Sequence, residues 1–160
     1  MDTADFDTIV VTAAADRGEL TLNRPDKLNP LSSHTLHEIE LAARWFDEHH
    51  DLKVVVVGGA GRSFSAGADL SAFSTAAPME DRQVGWRMGR AMDEMRAVTV
   101  ARIQGWCVGG GLVVAAGCDC ASPPIPLASR SRKSISAFRW HGAASRAWCA
   151  RSGRRSPRSW

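Results

Sequence analysis

Apolar positions come in short, regular bursts along the first 119 residues and lose their spacing after them. The opening stretch "DTIVVTAAADRGELTLNRP" holds two apolar runs, at 8–12 and 19–22, joined by Asp16, Arg17 and Gly18. This predicts a β-hairpin. In "SSHTLHEIELAARWFDEHH", residues 32–50, Leu36, Ile39, Ala43 and Phe46 recur at spacings of three and four. An amphipathic helix is expected there, with Ser32 or Ser33 as its N-cap. "DLKVVVVGGAG" reads as a strand apolar on both faces, the pattern of a covered, parallel strand. A weakly amphipathic helix over 81–96, a strand in "VTVARIQGW" and a Gly-led apolar helix in "GGGLVVAAGC" follow. Strands alternating with helices predict an α/β architecture.

Charge divides the chain at the same place. Residues 1–119 carry 11 basic and 17 acidic side chains, a balance of −6, and Asp119 is the last acid. Residues 120–160 carry eight Arg, one Lys, nine Ser and four Pro, with no Asp, Glu or Val, a balance of +9. The overall +3 averages two unlike parts. The expected organisation is an acidic folded body over 1–119 and a largely irregular, disordered basic tail over 120–160.

The remaining composition is that of a soluble chain, with 44% hydrophobic and 23% charged residues. "MDTADFDTIV" has no apolar core of a secretory signal. No apolar run approaches the roughly 20 residues that span a bilayer. Cys107, Cys118, Cys120 and Cys149 form no CxxC pair and have no matched His spacing. Free thiols in a cytoplasmic protein without metal or membrane association are expected. His34, His37 and Glu38 fit neither HExxH nor HxxEH and read as a solvated polar face.

Two strand–turn–helix passages suggest the chemistry: "VVVVGGAGRSFSAGADL" and "ARIQGWCVGGGLVVAAGCD". Backbone N–H groups in such turns lack helical partners and can point at a developing negative charge. A phosphate loop fails because G-K-[ST] is missing. A dinucleotide fingerprint fails because Phe64 stands where the third glycine belongs.

Taken together with "NRPDKLNPLS", these passages occur in the order and at the separations of the crotonase superfamily. The stretch over about 8–119 resembles the first half of an enoyl-CoA hydratase/isomerase. The resemblance implies a partial crotonase-like spiral of ββα units. It implies an acyl-CoA thioester as substrate, with coenzyme A as part of that substrate and no separate cofactor. The N–H groups of Ala68 and Gly110 would form an oxyanion hole around the thioester carbonyl. One such donor in a dry site is worth about 3–4 kcal/mol of barrier. Ala66, Ala68, Asp69, Leu70, Ser71 and Gly110 would line the acyl site, and Lys27 and Leu28 would contact the coenzyme A moiety. Lys27 reads equally as a solvated surface lysine, and Asp69 equally as a residue that shapes its loop. Family members form trimers through C-terminal helices, which are expected to be missing here.

The resemblance breaks where proton transfer would occur. The family's two glutamates would fall at Val113, three residues after the middle glycine, and at Lys133. Neither residue supplies the carboxylate that activates water or moves the α-proton. Loss of one nucleotide near codon 120 would account for this. Each restored codon then takes the third base of the preceding codon and the first two of its own. Cys120 after Asp119 becomes leucine, His141 after Trp140 becomes alanine, and Cys149 after Trp148 becomes valine, whichever codons were used. Allowed third bases turn "CASPPIPLAS" into "LRIASDPARF". The segment "RSRKSISAFRWHGAASRAWC" becomes "AVPEVDLGIPLAWGGIPRLV", with glutamate permitted at Lys133. Residues 120–160 thus read as an out-of-frame translation, and a downstream polypeptide completing the fold is a possible partner. Arg with interleaved Trp140, Trp148 and Trp160 resembles a single-strand nucleic-acid binder. No RRM, KH or OB signature accompanies it, which disfavours that partner.

Overall fold

The computed structural model describes residues 1–70 and 79–122. Six strands form one sheet in the order of the sequence: β1 (Asp2–Ala4), β2 (Ile9–Ala14), β3 (Arg17–Leu22), β4 (Val54–Gly59), β5 (Val98–Arg102) and β6 (Cys120–Ser122). β1 to β3 pair antiparallel, and β3 to β6 pair parallel. The helices are α1 (Ser33–Glu48), α2 (Met79–Asp93) and α3 (Gly110–Ala116).

The predicted hairpin forms, with a tighter turn than the sequence pattern indicated. Arg17 already pairs with Ala14, so only Ala15 and Asp16 turn the chain, with Ala15 at φ 52°. Along β2 the period of two is clean: Ile9, Val11 and Ala13 are buried while Val10 faces outward. In β3 the inward set is Gly18, Leu20 and Leu22. Gly18 has a packing reason, since a Cβ there would lie 2.6 Å from Phe46 Cε1. The aromatic ring of α1 thus sits directly on the sheet.

Ser32 is the N-cap of α1, and its hydroxyl accepts the Thr35 N–H at 3.1 Å. Ile39, Ala42, Ala43 and Phe46 form the helix stripe that meets the core. The polar face of α1 is not simply solvated, which corrects the expectation for Glu38. Its carboxylate is buried and accepts the N–H groups of Asp7 at 2.6 Å and Thr8 at 3.0 Å, together with the Thr8 hydroxyl. It thereby satisfies the chain entering β2, and His34 lies beside it at 3.3 Å. Only the two histidines of that trio remain half-exposed.

β1 was not anticipated, because Asp2-Thr3-Ala4 shows no apolar alternation. It is held by backbone pairing of Asp2 to Ala13 and Ala4 to Val11, for which side-chain type matters little. β6 is similar: Cys120, Ala121 and Ser122 continue the sheet past the boundary drawn from composition, in register with Val100, Ala101 and Arg102. Asp119 prepares that pairing. Its carboxylate accepts the Thr99 N–H at 2.9 Å and hydroxyl at 2.8 Å, and Thr99 Oγ1 accepts the Asp119 N–H. The rest of the basic segment, including Lys133 and Cys149, lies outside the described residues, as does Ser71. Among the described residues no helix is long and apolar enough to cross a membrane.

α1 and α2 are joined across their contact by Glu40, buried at 3% exposure. Arg44 reaches it at 2.6 Å, Arg87 at 3.1 Å and His37 at 3.4 Å. Burial pushes the Glu40 carboxyl up. Hydrogen bonds from Arg87 and His37 and the charges of Arg87 and Arg44 outweigh that and hold it below its ordinary 4.5. A depressed carboxylate stabilises the fold above its unfolded value and loses that contribution as pH falls through its folded value. Glu40→Gln is expected to cost about 1–2 kcal/mol at neutral pH, less than a fully buried pair because Arg44 is exposed. In thermal melts followed by circular dichroism, the gap between wild type and variant should persist above pH 4.5 and close as the pH drops further.

Candidate functional site

Three loops leave the same ends of the parallel strands and meet there. The first follows β3 through a 3-10 turn at Pro25–Lys27 to Leu31. The second follows β4, and the third links β5 to α3. Leu28 and Asn29 both adopt left-handed backbone, at φ 62° and 53°. Asn tolerates this better than most residues, and its burial here explains its presence. The Asn29 amide nitrogen donates to the carbonyls of Ala60 and Ser63 at 2.9 Å and of Phe64 at 3.2 Å. Its amide oxygen accepts the Arg24 N–H at 2.9 Å.

Ser65 extends this network. Its buried hydroxyl donates to the Asn29 carbonyl at 2.7 Å and accepts the Gly67 N–H at 3.0 Å. Ala66 N–H donates to the Leu28 carbonyl at 2.8 Å. On the far side, the N–H groups of Phe64 and Ser65 donate to the carbonyls of Gln104 and Trp106, and Val108 N–H returns to Ser65. The second loop is therefore clamped between the first and the third.

Gly67 is the pivot. Its φ of +95° suits glycine, and a Cβ would lie 2.9 Å from the Val108 carbonyl oxygen. Immediately after it, Leu31 and Ala68 form an isolated parallel bridge. Leu31 N–H donates to Gly67 O at 2.8 Å, and Asp69 N–H donates to Leu31 O at 2.8 Å. In a trans peptide the N–H points opposite to the C=O, so the Ala68 N–H faces away from Leu31. Gly110 comes alongside: an ideal Cβ on it would lie 3.8 Å from Ala68 N and 3.2 Å from Leu31 Cδ1. Among the described residues neither the Ala68 N–H nor the Gly110 N–H has a hydrogen-bond acceptor. Ala68 is exposed, whereas its neighbours Gly67 and Asp69 are buried.

The structure thus brings together Leu28, Ala66, Ala68, Asp69 and Gly110 of the residues singled out from the sequence. Leu70 projects outward at 84% exposure, and Lys27 is exposed at the 3-10 turn. Val113 stands one turn along α3 from Gly110 and is 54% exposed. Asp69 does more than shape its own loop: Arg24 Nη1 donates to its Oδ2 at 2.8 Å. Sequence reasoning missed Arg24, Asn29 and Ser65 as components of the site. All three lie inside the quoted motifs, yet their partners are 31 to 45 residues away or are backbone atoms. Cys107 borders the site with its backbone bridged to Ser65, and burial pushes its thiol up to about 11. Cys118, in the core, is pushed to about 12 by burial and by the Asp119 charge.

A family model described as enoyl-CoA hydratase/isomerase matches residues 15–123. The probable enoyl-CoA hydratase echA8 of Mycobacterium tuberculosis is 32% identical over 116 residues, 71% of this chain and 45% of that protein. A crotonyl-CoA hydratase of Syntrophomonas wolfei is 29% identical over 118 residues, again 71% of this chain and 45% of that protein. Among solved structures, an enoyl-CoA hydratase/carnithine racemase from Magnetospirillum magneticum superposes with a TM-score of 0.67 at 30% identity, over 73% of this chain and 46% of that one. An enoyl-CoA hydratase from Mycobacterium avium subsp. paratuberculosis gives 0.64 at 32% identity, over 73% and 44%. The chain spans under half the length of these relatives.

Proposed function

Because the chain belongs to the enoyl-CoA hydratase/isomerase family, we propose that it binds an acyl-CoA thioester through the paired N–H groups of Ala68 and Gly110. The observation that carries this reading is that the two amides are neighbours and both lack an acceptor among the described residues. The Ala68 N–H is exposed and that of Gly110 half-buried, so two adjacent donors stand open to a ligand and can meet one carbonyl oxygen together. As electron density shifts onto that oxygen, hydrogen bonds from the N–H groups strengthen, which lowers the cost of an enolate. Ala66 and Leu70 would border the acyl group, Ser71 would continue that loop, and Lys27 and Leu28 would meet the coenzyme A portion. No separate cofactor enters this scheme, because the thioester itself supplies the acidity of its α-carbon.

The proton-transfer half of the chemistry is impaired on this reading. Val113 occupies a position one helical turn from Gly110 where a carboxylate could reach the reacting carbons, and valine neither accepts nor delivers a proton. Lys133 stands at the second family glutamate position. Residues 120–160 fit an out-of-frame translation, supported by the loss of acids and Val after Asp119 and by a family match that stops at residue 123. A separately translated downstream half would then be the natural partner, adding the assembly helices through which the family forms trimers.

A conjugated dienoyl-CoA reports carbonyl polarisation as a red shift of its absorption. Wild type is expected to produce that shift, and free coenzyme A to bind without one. Gly110→Val, which sets side-chain atoms over the Ala68 amide, should abolish the shift and weaken dienoyl-CoA binding about tenfold, the worth of one or two neutral hydrogen bonds. Hydration of crotonyl-CoA by wild type should be no faster than by Gly110→Val; turnover well above it would refute the impairment. Sequencing the gene across codons 115–160 should reveal the leucine-initiated continuation one base away from the present frame, and its absence would reject the out-of-frame reading.

A further inference from the structure

The two amides need more than exposure; their direction must be held. For Ala68 the peptide plane is fixed at its oxygen end, where Gly67 O accepts from Leu31. The next plane is fixed by Asp69 N–H on Leu31 O. Both bonds run through Leu31, and the Gly67 N–H on Ser65 Oγ holds the chain ahead of the Ala68 plane. The chain beyond that plane needs an anchor of its own, away from Leu31. The Asp69 side chain provides one by reaching Arg24 at 2.8 Å, with the two side chains only 10% and 26% exposed. Arg24 is itself immobilised: its N–H donates to Asn29 Oδ1, and its carbonyl accepts the N–H groups of Lys27 and Asn29. The guanidinium therefore carries the stiffness of the Asn29 network to the residue beside the amide.

We infer that the Arg24–Asp69 ion pair is a positioning element that sets the aim of the Ala68 N–H, an inference resting on the acyl-CoA reading above. Arg24 acts through Asp69 and does not touch the acyl group. A guanidinium suits the task because it is planar and always charged, and its donors are set at fixed angles. Its partial burial keeps the attraction from being fully screened by solvent.

The test compares wild type with Arg24→Met and Arg24→Lys, using the dienoyl-CoA red shift at saturation and the affinity for free coenzyme A. Arg24→Met should cut the red shift to less than half while coenzyme A affinity stays unchanged. Arg24→Lys, which keeps a charge opposite Asp69, should recover most of the shift. A merely structural role would lower the melting temperature without moving the spectrum of the ligand bound at saturation. A full red shift in Arg24→Met overturns the inference, as does a lysine variant no better than the methionine one. A parallel loss of coenzyme A affinity also overturns it, because Arg24 would then be a direct ligand contact. If Arg24→Met fails to fold, Arg24→Gln, which keeps a polar side chain without the charge, is read in its place with the same expectations. Absence of a red shift in wild type would instead strike the two-amide reading itself, which separates the two failures.

Discussion

The buried side-chain amide of Asn29 is the interaction on which the site rests. One NH2 group satisfies carbonyls contributed by residues 60, 63 and 64, while the oxygen of the same amide closes the loop back to Arg24. Its removal would leave several buried acceptors without donors, a cost of about 1–3 kcal/mol for each such group. The penalty is asymmetric, which makes the network a device for specifying one arrangement of two loops. Glycine could relieve the left-handed backbone at this position, but it would forfeit the three carbonyl contacts.

That arrangement sits where the sheet demands it. β3, β4 and β5 are parallel, so their C-terminal ends open on one side, at Leu22, Gly59 and Arg102. Loops leaving neighbouring parallel strands on the same side converge outside the carboxyl edge, where α/β sheets commonly bind ligands. Here the convergence is close enough for backbone to touch backbone. A Cβ on Gly111 would lie 2.8 Å from Ser65 Cβ, and one on Gly105 would clash with the Arg62 carbonyl oxygen. Glycines in these motifs are thus records of how near the three loops approach.

What the sequence conveyed and what it hid follow from the range of the interactions. Hydrophobic period announced the hairpin, α1 and β4, because burial of one face is a local pattern. α2 begins two residues earlier and ends three residues earlier than its weak amphipathicity suggested. β1 and β6 carry no such pattern, since each is three residues long and held by backbone pairing. Glu38 and Glu40 look like surface residues in a string of letters. Their burial becomes intelligible only when Asp7, Thr8 and Arg87 arrive from 30 to 47 residues away. The same distance hid Arg24–Asp69, even though both ends lay within recognised motifs.

A site built from amides and one built from carboxylates differ in how they withstand change. The Ala68 and Gly110 donors are backbone atoms, so substitutions around them leave their chemistry in place provided the loops keep their shape. That shape is secured by Asn29, Ser65 and Gly67 and by backbone bonds to Gln104, Trp106 and Val108. Carboxylates are side chains, erased by a single substitution or by a shift of frame. On the proposed reading this chain retains the part of the machinery that geometry protects, the binding and polarising of a thioester. It lacks the part that depends on residue identity, with valine at 113 and lysine at 133. The sheet supports the same division: every strand that positions the two amides precedes residue 103, upstream of the point where charge and composition break.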